Sequence, residues 1–366
     1  MRGREAWVRI HGGPDVHGAV PWDFSTNANA CGPCPTAWQA VQQADATRYP
    51  DPSYTELRRA LADWHGVIPE RVLVLGSASE GIQRLTAAFR LRGARHVHLP
   101  RHGYGDYRHA ARAWGLCEVK QPAHADLVWL CDPGSPQGQP QKRDVVEAAL
   151  QAPSERSVVL DAAYAPLRLY GADALTKDEL RRVWQIWTPN KALGMTGVRA
   201  AYAIAPEGAE EDVTRMEALA PSWPVGAHGV ALLRAWVQPQ TQRWLADSRQ
   251  TLAAWAEALR ARLEPLGWIC APSVTPFFCA RPPQPLDAAA LRTHGVRLRD
   301  ATSFGLPGWW RMSAQPPQAV DALVAAWQAA ISSAPREACA TRAHLDAGGA
   351  RVSMDCVQHA RGEGRA

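Results

Sequence analysis

One lysine stands apart in this chain. Lys191 lies in Thr188-Pro189-Asn190-Lys191-Ala192-Leu193-Gly194-Met195-Thr196-Gly197-Val198-Arg199, a stretch of mostly small residues behind a short apolar run. An amine becomes a useful nucleophile when its pKa is lowered, and a nearby cation such as Arg199 in a dry pocket supplies that. Asp161 opens Asp161-Ala162-Ala163-Tyr164, directly after another apolar run. An acid in that place is either a helix cap or a functional charge. Gly76-Ser77-Ala78-Ser79-Glu80-Gly81 joins a predicted strand to a predicted helix, so its N–H groups and hydroxyls could cradle a phosphate, although many such turns hold nothing. Asp132-Pro133-Gly134-Ser135-Pro136-Gln137-Gly138 is a turn-rich loop behind a further strand. Cys31-Gly32-Pro33-Cys34 spells a dithiol redox motif. It follows a polar, Asn-rich stretch rather than a buried strand, so it reads as a Pro-rich turn entering a helix over 36–44.

These segments need a scaffold, and the hydrophobic pattern predicts one. Short apolar runs at 71–75, 96–99, 126–131, 157–160, 183–187 and 200–204 alternate with helical patterns over 54–64 and 79–90. That alternation predicts an α/β fold with a mostly parallel, doubly wound sheet, which binds ligands at the carboxyl ends of its strands. Beyond about residue 227 long helices dominate, over 241–263 and 318–331, with short strands near 268–271 and 277–280: a smaller α+β domain. The expected divisions are an N-terminal arm over 1–45 belonging to the small domain, a large domain over 46–224, the small domain over 225–334, and a disordered Ala-, Gly- and Arg-rich tail over 335–366. With 366 residues, 46% hydrophobic and 20% charged, the composition is globular, and the net charge of +5 without a basic block does not suggest a nucleic-acid partner. The chain has no apolar run of membrane-spanning length, and residues 1–10 lack the apolar core of a signal peptide, so a cytoplasmic protein with reduced cysteines is expected, without membrane contact. The 16 tryptophans, among them Trp38, Trp64, Trp184 and Trp187, follow no repeat period and read as packing residues.

Taken in order, the four segments resemble the pyridoxal-phosphate enzymes of the aspartate-aminotransferase fold, the class I/II aminotransferases of fold type I. The resemblance runs from His11 to about Gln315. It implies that Lys191 carries the cofactor pyridoxal 5′-phosphate covalently, that Asp161 pairs with the pyridine nitrogen, and that Tyr164 hydrogen-bonds the phenolic oxygen. Tyr104, in Pro100-Arg101-His102-Gly103-Tyr104-Gly105-Asp106-Tyr107, matches the aromatic that stacks on the ring. Ala78, Ser79, Thr188 and Arg199 are implied to hold the cofactor phosphate. Tyr49, in Arg48-Tyr49-Pro50-Asp51-Pro52, matches the tyrosine that reaches the phosphate bound by a partner subunit, which implies a homodimer. Arg311, in Trp309-Trp310-Arg311-Met312-Ser313, matches the arginine that grips the substrate carboxylate in a bidentate fork. No metal ligand set is implied. The chain departs from the family at two places. Ser135 stands where an amide is usual for contacting the cofactor, and Asn190 precedes the lysine in place of a small hydroxyl residue.

Within the family, His11-Gly12-Gly13, then Phe24-Ser25-Thr26-Asn27-Ala28-Asn29 and Gly32-Pro33, are similar to the arm of the threonine-phosphate decarboxylases of cobalamin biosynthesis. Pro221-Ser222-Trp223-Pro224-Val225 is similar to the same group. The histidinol-phosphate aminotransferases share Asn27-Ala28-Asn29 and the Arg48-to-Pro52 motif. The arm favours decarboxylation of O-phospho-L-threonine as the expected activity. The alternative is an aminotransferase of the histidinol-phosphate type with 2-oxoglutarate as amino acceptor. A non-catalytic binding protein on the same fold comes third. His11, Asn29 and Arg311 are then the expected contacts to a small amino-acid substrate carrying a phosphate.

Overall fold

The computed structural model describes residues 11–151 and 156–332. The expectations for residues 1–10 and for a tail over 335–366 lie outside the described residues. The arm contributes a two-residue strand, Trp22–Asp23 (β1). A seven-stranded sheet follows, built from Val72–Leu75 (β2), His96–His98 (β3), Cys117–Glu118 (β4), Leu127–Cys131 (β5), Ser157–Asp161 (β6), Trp184–Trp187 (β7) and Ala201–Ile204 (β8). Its order is β2-β8-β7-β6-β5-β3-β4, and only β8 runs antiparallel to its neighbours. Every residue of β2, β5, β6 and β8 is buried, because helices cover both faces. Strands buried on both sides read as unbroken apolar runs, and that is the pattern the sequence shows.

One face of the sheet packs Leu75, Trp129 and Trp184 against Ile82, Leu85 and Phe89 of the helix Ala78–Arg92. Gly81 permits that approach, since a Cβ there would stand 2.6 Å from Leu75 Cδ1. The other face packs Val72, Val74, Tyr202 and Ile204 against the helices Thr55–His65 and Ala227–Trp236. Tyr54, expected as the first apolar position of a helix, instead caps it from the left-handed region at φ 49°. Its hydroxyl donates to the Val225 carbonyl at 2.7 Å and accepts from the Val225 amide at 3.2 Å, so the ring is spent on a long-range tie.

The C-terminal part holds Ile269–Cys270 (β9), Phe277–Arg281 (β10), Val296–Arg297 (β11), Arg299–Asp300 (β12) and Trp310–Ser313 (β13). Four of these form an antiparallel sheet in the order β12-β13-β10-β9, while β11 pairs in parallel with β1 and so joins the arm to this part. The helices Pro239–Leu263 and Pro317–Ser332 cover the sheet through Leu259, Leu263, Leu323 and Trp327. No helix among the described residues is long and apolar enough to cross a membrane.

Candidate active site

A cavity of about 580 Å³ opens where β2, β5, β6 and β7 end, and most of the singled-out residues line it. Lys191, Asp161, Tyr164, Tyr104, Ala78, Ser79, Ser135, Thr188, Arg199, His11 and Arg311 share this one space. Asn29 and Tyr49 do not.

The lysine loop leaves β7 at Trp187 and is clamped from several sides. The Asn190 amide donates to the Val198 carbonyl at 3.2 Å, while its Oδ1 accepts from Thr188 Oγ1 at 2.9 Å. Asn190, the departure beside the lysine, is thus a staple across its own loop. Asn29, expected to touch substrate, is a second staple. Its backbone N–H donates to the Lys191 carbonyl at 2.9 Å, and its side-chain amide donates to Ala192 O and Ser248 Oγ at 3.0 and 2.8 Å. Those bonds exhaust its donors, and the side chain is only 3% exposed, so the arm asparagine on the cavity is Asn27 instead. The Cys34 amide adds a bond to the Leu193 carbonyl at 2.9 Å. Gly194 lies so close that a Cβ would sit 2.4 Å from the Gly32 oxygen. The Cys31–Cys34 turn therefore supports the lysine loop, and its thiols are free, with burial raising the Cys31 pKa above the ordinary thiol value.

Asp161 is the last residue of β6 and is buried. Its Oδ1 accepts from the Ala163 amide at 2.9 Å and its Oδ2 from the Tyr107 hydroxyl at 2.5 Å. Tyr107 stacks on Trp129 with centroids 5.0 Å apart, and burial, with the Asp161 charge second, pushes its phenol well above the usual range. It stays a donor, which aims the carboxylate. Tyr164 closes its edge on Phe277 and lies with its ring 5.1 Å from Lys191 Nζ. Its hydroxyl is 3.5 Å from Asn27 Nδ2, and Asn27 Oδ1 is buried with no hydrogen-bond partner among the described residues.

The loop Gly76 to Gly81 carries the chain from β2 into the helix Ala78–Arg92. Ser77 caps the helix Ala78–Arg92 by accepting from the Glu80 amide at 3.0 Å, which leaves the first helical amides directed out of the helix end. Ser79 Oγ stands 3.1 Å from the Tyr104 hydroxyl on the cavity wall, near Thr188 and the exposed Arg199. Tyr104 itself is edge-on to Tyr107 and 5.9 Å from the His11 ring.

The other wall is cationic. Arg311, 7% exposed, donates to the Ser25 carbonyl at 2.7 Å and to Ser135 Oγ at 3.2 Å, and its Nε is buried without a partner. Ser135, the other departure, thus meets Arg311. Gly12 is pressed into the same corner, since a Cβ would lie 2.0 Å from the Ser25 oxygen and 3.2 Å from Arg311 Nη2. Sequence reasoning missed Arg299, which the β12–β13 register sets directly opposite Arg311. Burial, and then repulsion from Arg311, lower its pKa to about 10. A visible signal was the alternation Val296-Arg297-Leu298-Arg299, which marks a strand with an arginine in each outward phase.

Tyr49 lies elsewhere. It is 77% exposed, stacked on Trp223 at 4.3 Å, and lines a separate groove of about 550 Å³ with Arg48 and Arg234.

The family model for aminotransferases of class I and II matches residues 21–123 and 115–326. Histidinol-phosphate aminotransferase 1 of Bradyrhizobium diazoefficiens is 30% identical over 295 residues, covering 75% of this chain and 83% of that protein. Among solved structures, histidinol-phosphate aminotransferase from Sinorhizobium meliloti in complex with pyridoxal-5′-phosphate is similar with a TM-score of 0.72 at 23% identity, over 87% of this chain and 92% of that one. L-threonine-O-3-phosphate decarboxylase from Porphyromonas gingivalis is similar with a TM-score of 0.71 at 22% identity, over 84% and 99%.

Proposed function

The chain belongs to the class I and II aminotransferases, and from that premise we propose that it is a pyridoxal 5′-phosphate-dependent aminotransferase of the histidinol-phosphate type. It would pass the amino group of a phosphorylated amine to 2-oxoglutarate. The expectation from the arm put the decarboxylase first. The relative matched over 75% of the chain bears the aminotransferase name, whereas the decarboxylase enters at 22% identity, which speaks to fold alone.

The observation that carries the proposal is one cavity holding an amine, a strand-end carboxylate, a helix N-terminus and two apposed guanidiniums. The donor set suits the cofactor. The open helix end, Ser79, Thr188 and Arg199 would offer charge and hydrogen bonds to its phosphate, Asp161 would offer an anion to its ring nitrogen, and Tyr164, whose hydroxyl is 3.5 Å from Asn27 Nδ2, would offer its hydroxyl to the phenolic oxygen. Bound there, pyridoxal phosphate supplies an electron sink conjugated to the substrate carbon that bears the amine. Lys191 Nζ is the base that takes the proton from that carbon. Asp161, held by Tyr107 and the Ala163 amide, would pair its carboxylate with the ring nitrogen. Arg311 and Arg299 fix the anionic end of the substrate, and an anion between them offsets their mutual repulsion. His11, Gly12 and Gly13 line the same space, with Gly12 packed beside Arg311. Tyr49, which lies outside the cavity of its own chain, fits a homodimer in which it reaches the phosphate of the partner's site.

A second reading rests on the arm. His11, Gly12 and Gly13 all line the cavity, with Gly12 packed on Arg311, and a grip on the substrate phosphate there could turn a carboxylate out of the ring plane for decarboxylation. One assay separates the two. Offered L-histidinol phosphate and O-phospho-L-threonine with 2-oxoglutarate, the enzyme is expected to form stoichiometric glutamate from the first. Carbon dioxide from the second, without glutamate from either, would replace the aminotransferase with the decarboxylase.

A further inference from the structure

Among the described residues, two that are not glycine have left-handed backbone, Tyr54 at φ 49° and Trp223 at φ 50°, and they lie in two segments bound to each other. The Tyr54 hydroxyl holds both the amide and the carbonyl of Val225, while the Trp223 indole N–H donates to the Pro50 carbonyl at 2.9 Å. The first segment is itself a fixed turn, since the Asp51 carboxylate accepts from the Ser53 and Thr55 amides at 3.0 and 2.7 Å. The second packs against the loop Gly76 to Gly81, where a Cβ on Gly76 would lie 3.0 Å from the Pro224 carbonyl oxygen. A bulky residue in the left-handed region is strained, and such strain persists only where the surroundings enforce it, most often near a functional site.

What the strained tryptophan secures is Tyr49. The two rings stack with centroids 4.3 Å apart and planes 20° from parallel, yet Tyr49 is 77% exposed and Trp223 37%. A stack this wet buries little of the tyrosine, so apolar burial is a poor reason to hold a tryptophan in that backbone. Its effect on Tyr49 is larger: an exposed tyrosine otherwise samples several rotamers, and the indole face selects one. We propose that Trp223 is a positioning residue that presets the Tyr49 side chain for the cofactor phosphate in the partner's site. The proposal rests on the shared-site homodimer stated above and adds to it the group that orders the lent tyrosine before the two copies meet. A tyrosine ordered in advance loses less conformational entropy when its hydroxyl bonds the phosphate.

Titration of the cofactor-free protein with pyridoxal 5′-phosphate, followed by absorbance with sedimentation on the same samples, tests this as a double-mutant cycle. Tyr49→Leu is expected to weaken cofactor binding by at least about fivefold, the scale of losing one hydrogen bond to a charged group. Trp223→Gly suits the left-handed backbone and removes the grip, and it is expected to weaken binding by at least about threefold while the chain stays folded and dimeric. In the Tyr49→Leu background the same change should cost less than about 1.5-fold, because Trp223 acts through the tyrosine alone. Trp223→Phe, which keeps a stacking ring, should recover part of the loss. Unchanged binding in Trp223→Gly, loss of its dimer, or a full threefold loss (about the single-variant effect) in the Tyr49→Leu background overturns the inference. Tyr49→Leu read by itself keeps the two readings apart. If it weakens binding and Trp223→Gly does not, the shared site stands and the positioning role falls. If it binds cofactor like the wild type, the shared site falls and the positioning role with it. Should Trp223→Gly fail to fold, Trp223→Leu takes its place in the cycle.

Discussion

Asp161 is the residue whose surroundings the structure defines most closely. Both carboxylate oxygens are committed, one to a backbone amide and one to a tyrosine whose ionisation is suppressed, so the charge is fixed in place before any ligand arrives. Such preorganisation is where electrostatic catalysis draws its strength. Asp161→Asn keeps the shape and removes the charge. It is expected to retain cofactor, read by absorbance, while kcat falls by about 10²–10³-fold, the scale set by removing one preorganised electrostatic partner. Near wild-type turnover would reduce Asp161 to a loop cap. Lys191 and Asp161 were legible in the sequence because their types are costly at strand ends and their surroundings are small or apolar. Tyr107 and Arg299 were not, because each is defined by a contact that the fold makes: Tyr107 is 54 residues from the carboxylate that it bonds, and Arg299 faces Arg311 through the β12–β13 register.

At the scale of elements, the lysine loop is a made object rather than a free turn. Asn29, Cys34 and Asn190 bond to it, and Gly194 meets the Gly32 carbonyl from the left-handed region at φ 66°. Gly194→Ala therefore adds a methyl 2.4 Å from one backbone oxygen and 3.0 Å from another, at Asn29. Backbone on both sides leaves little room to yield. The variant is expected to lose about 1–3 kcal/mol of stability in denaturant titration and to retain cofactor poorly. Gly197→Ala is the control, since its Cβ would meet nothing within 4 Å. Unchanged stability in Gly194→Ala would show that the arm does not brace the loop. The sheet that positions this loop was readable because its central strands are apolar on both faces. The strands β11 to β13 were not, because Arg297, Arg299 and Arg311 interrupt short segments whose burial depends on the arm and the opposing sheet.

Across the whole molecule, the site of one chain is laid out without Tyr49, although the family resemblance assigns that tyrosine to a cofactor phosphate. In the proposed homodimer the groove beside Tyr49, walled by the helices Pro35–Gln42 and Ala227–Trp236 and edged by Arg48 and Arg234, is the expected contact. Arg234 is exposed, so Arg234→Glu should fold while reversing a charge at that contact. Sedimentation is expected to show a dimer for the wild type and a shift toward monomer, with weaker cofactor retention, for the variant. A wild-type chain that sediments as a monomer with full activity would contradict the shared site.

The most direct test of the account addresses the covalent anchor. The chain has only four lysines, Lys120, Lys142, Lys177 and Lys191, so borohydride reduction of the cofactor-loaded protein followed by peptide mass mapping gives an unambiguous answer. A stable cofactor adduct is expected on the peptide containing Lys191, and its loss is expected in Lys191→Ala. An adduct on Lys120, Lys142 or Lys177 that survives in Lys191→Ala, or no adduct in a loaded and folded wild type, would contradict it.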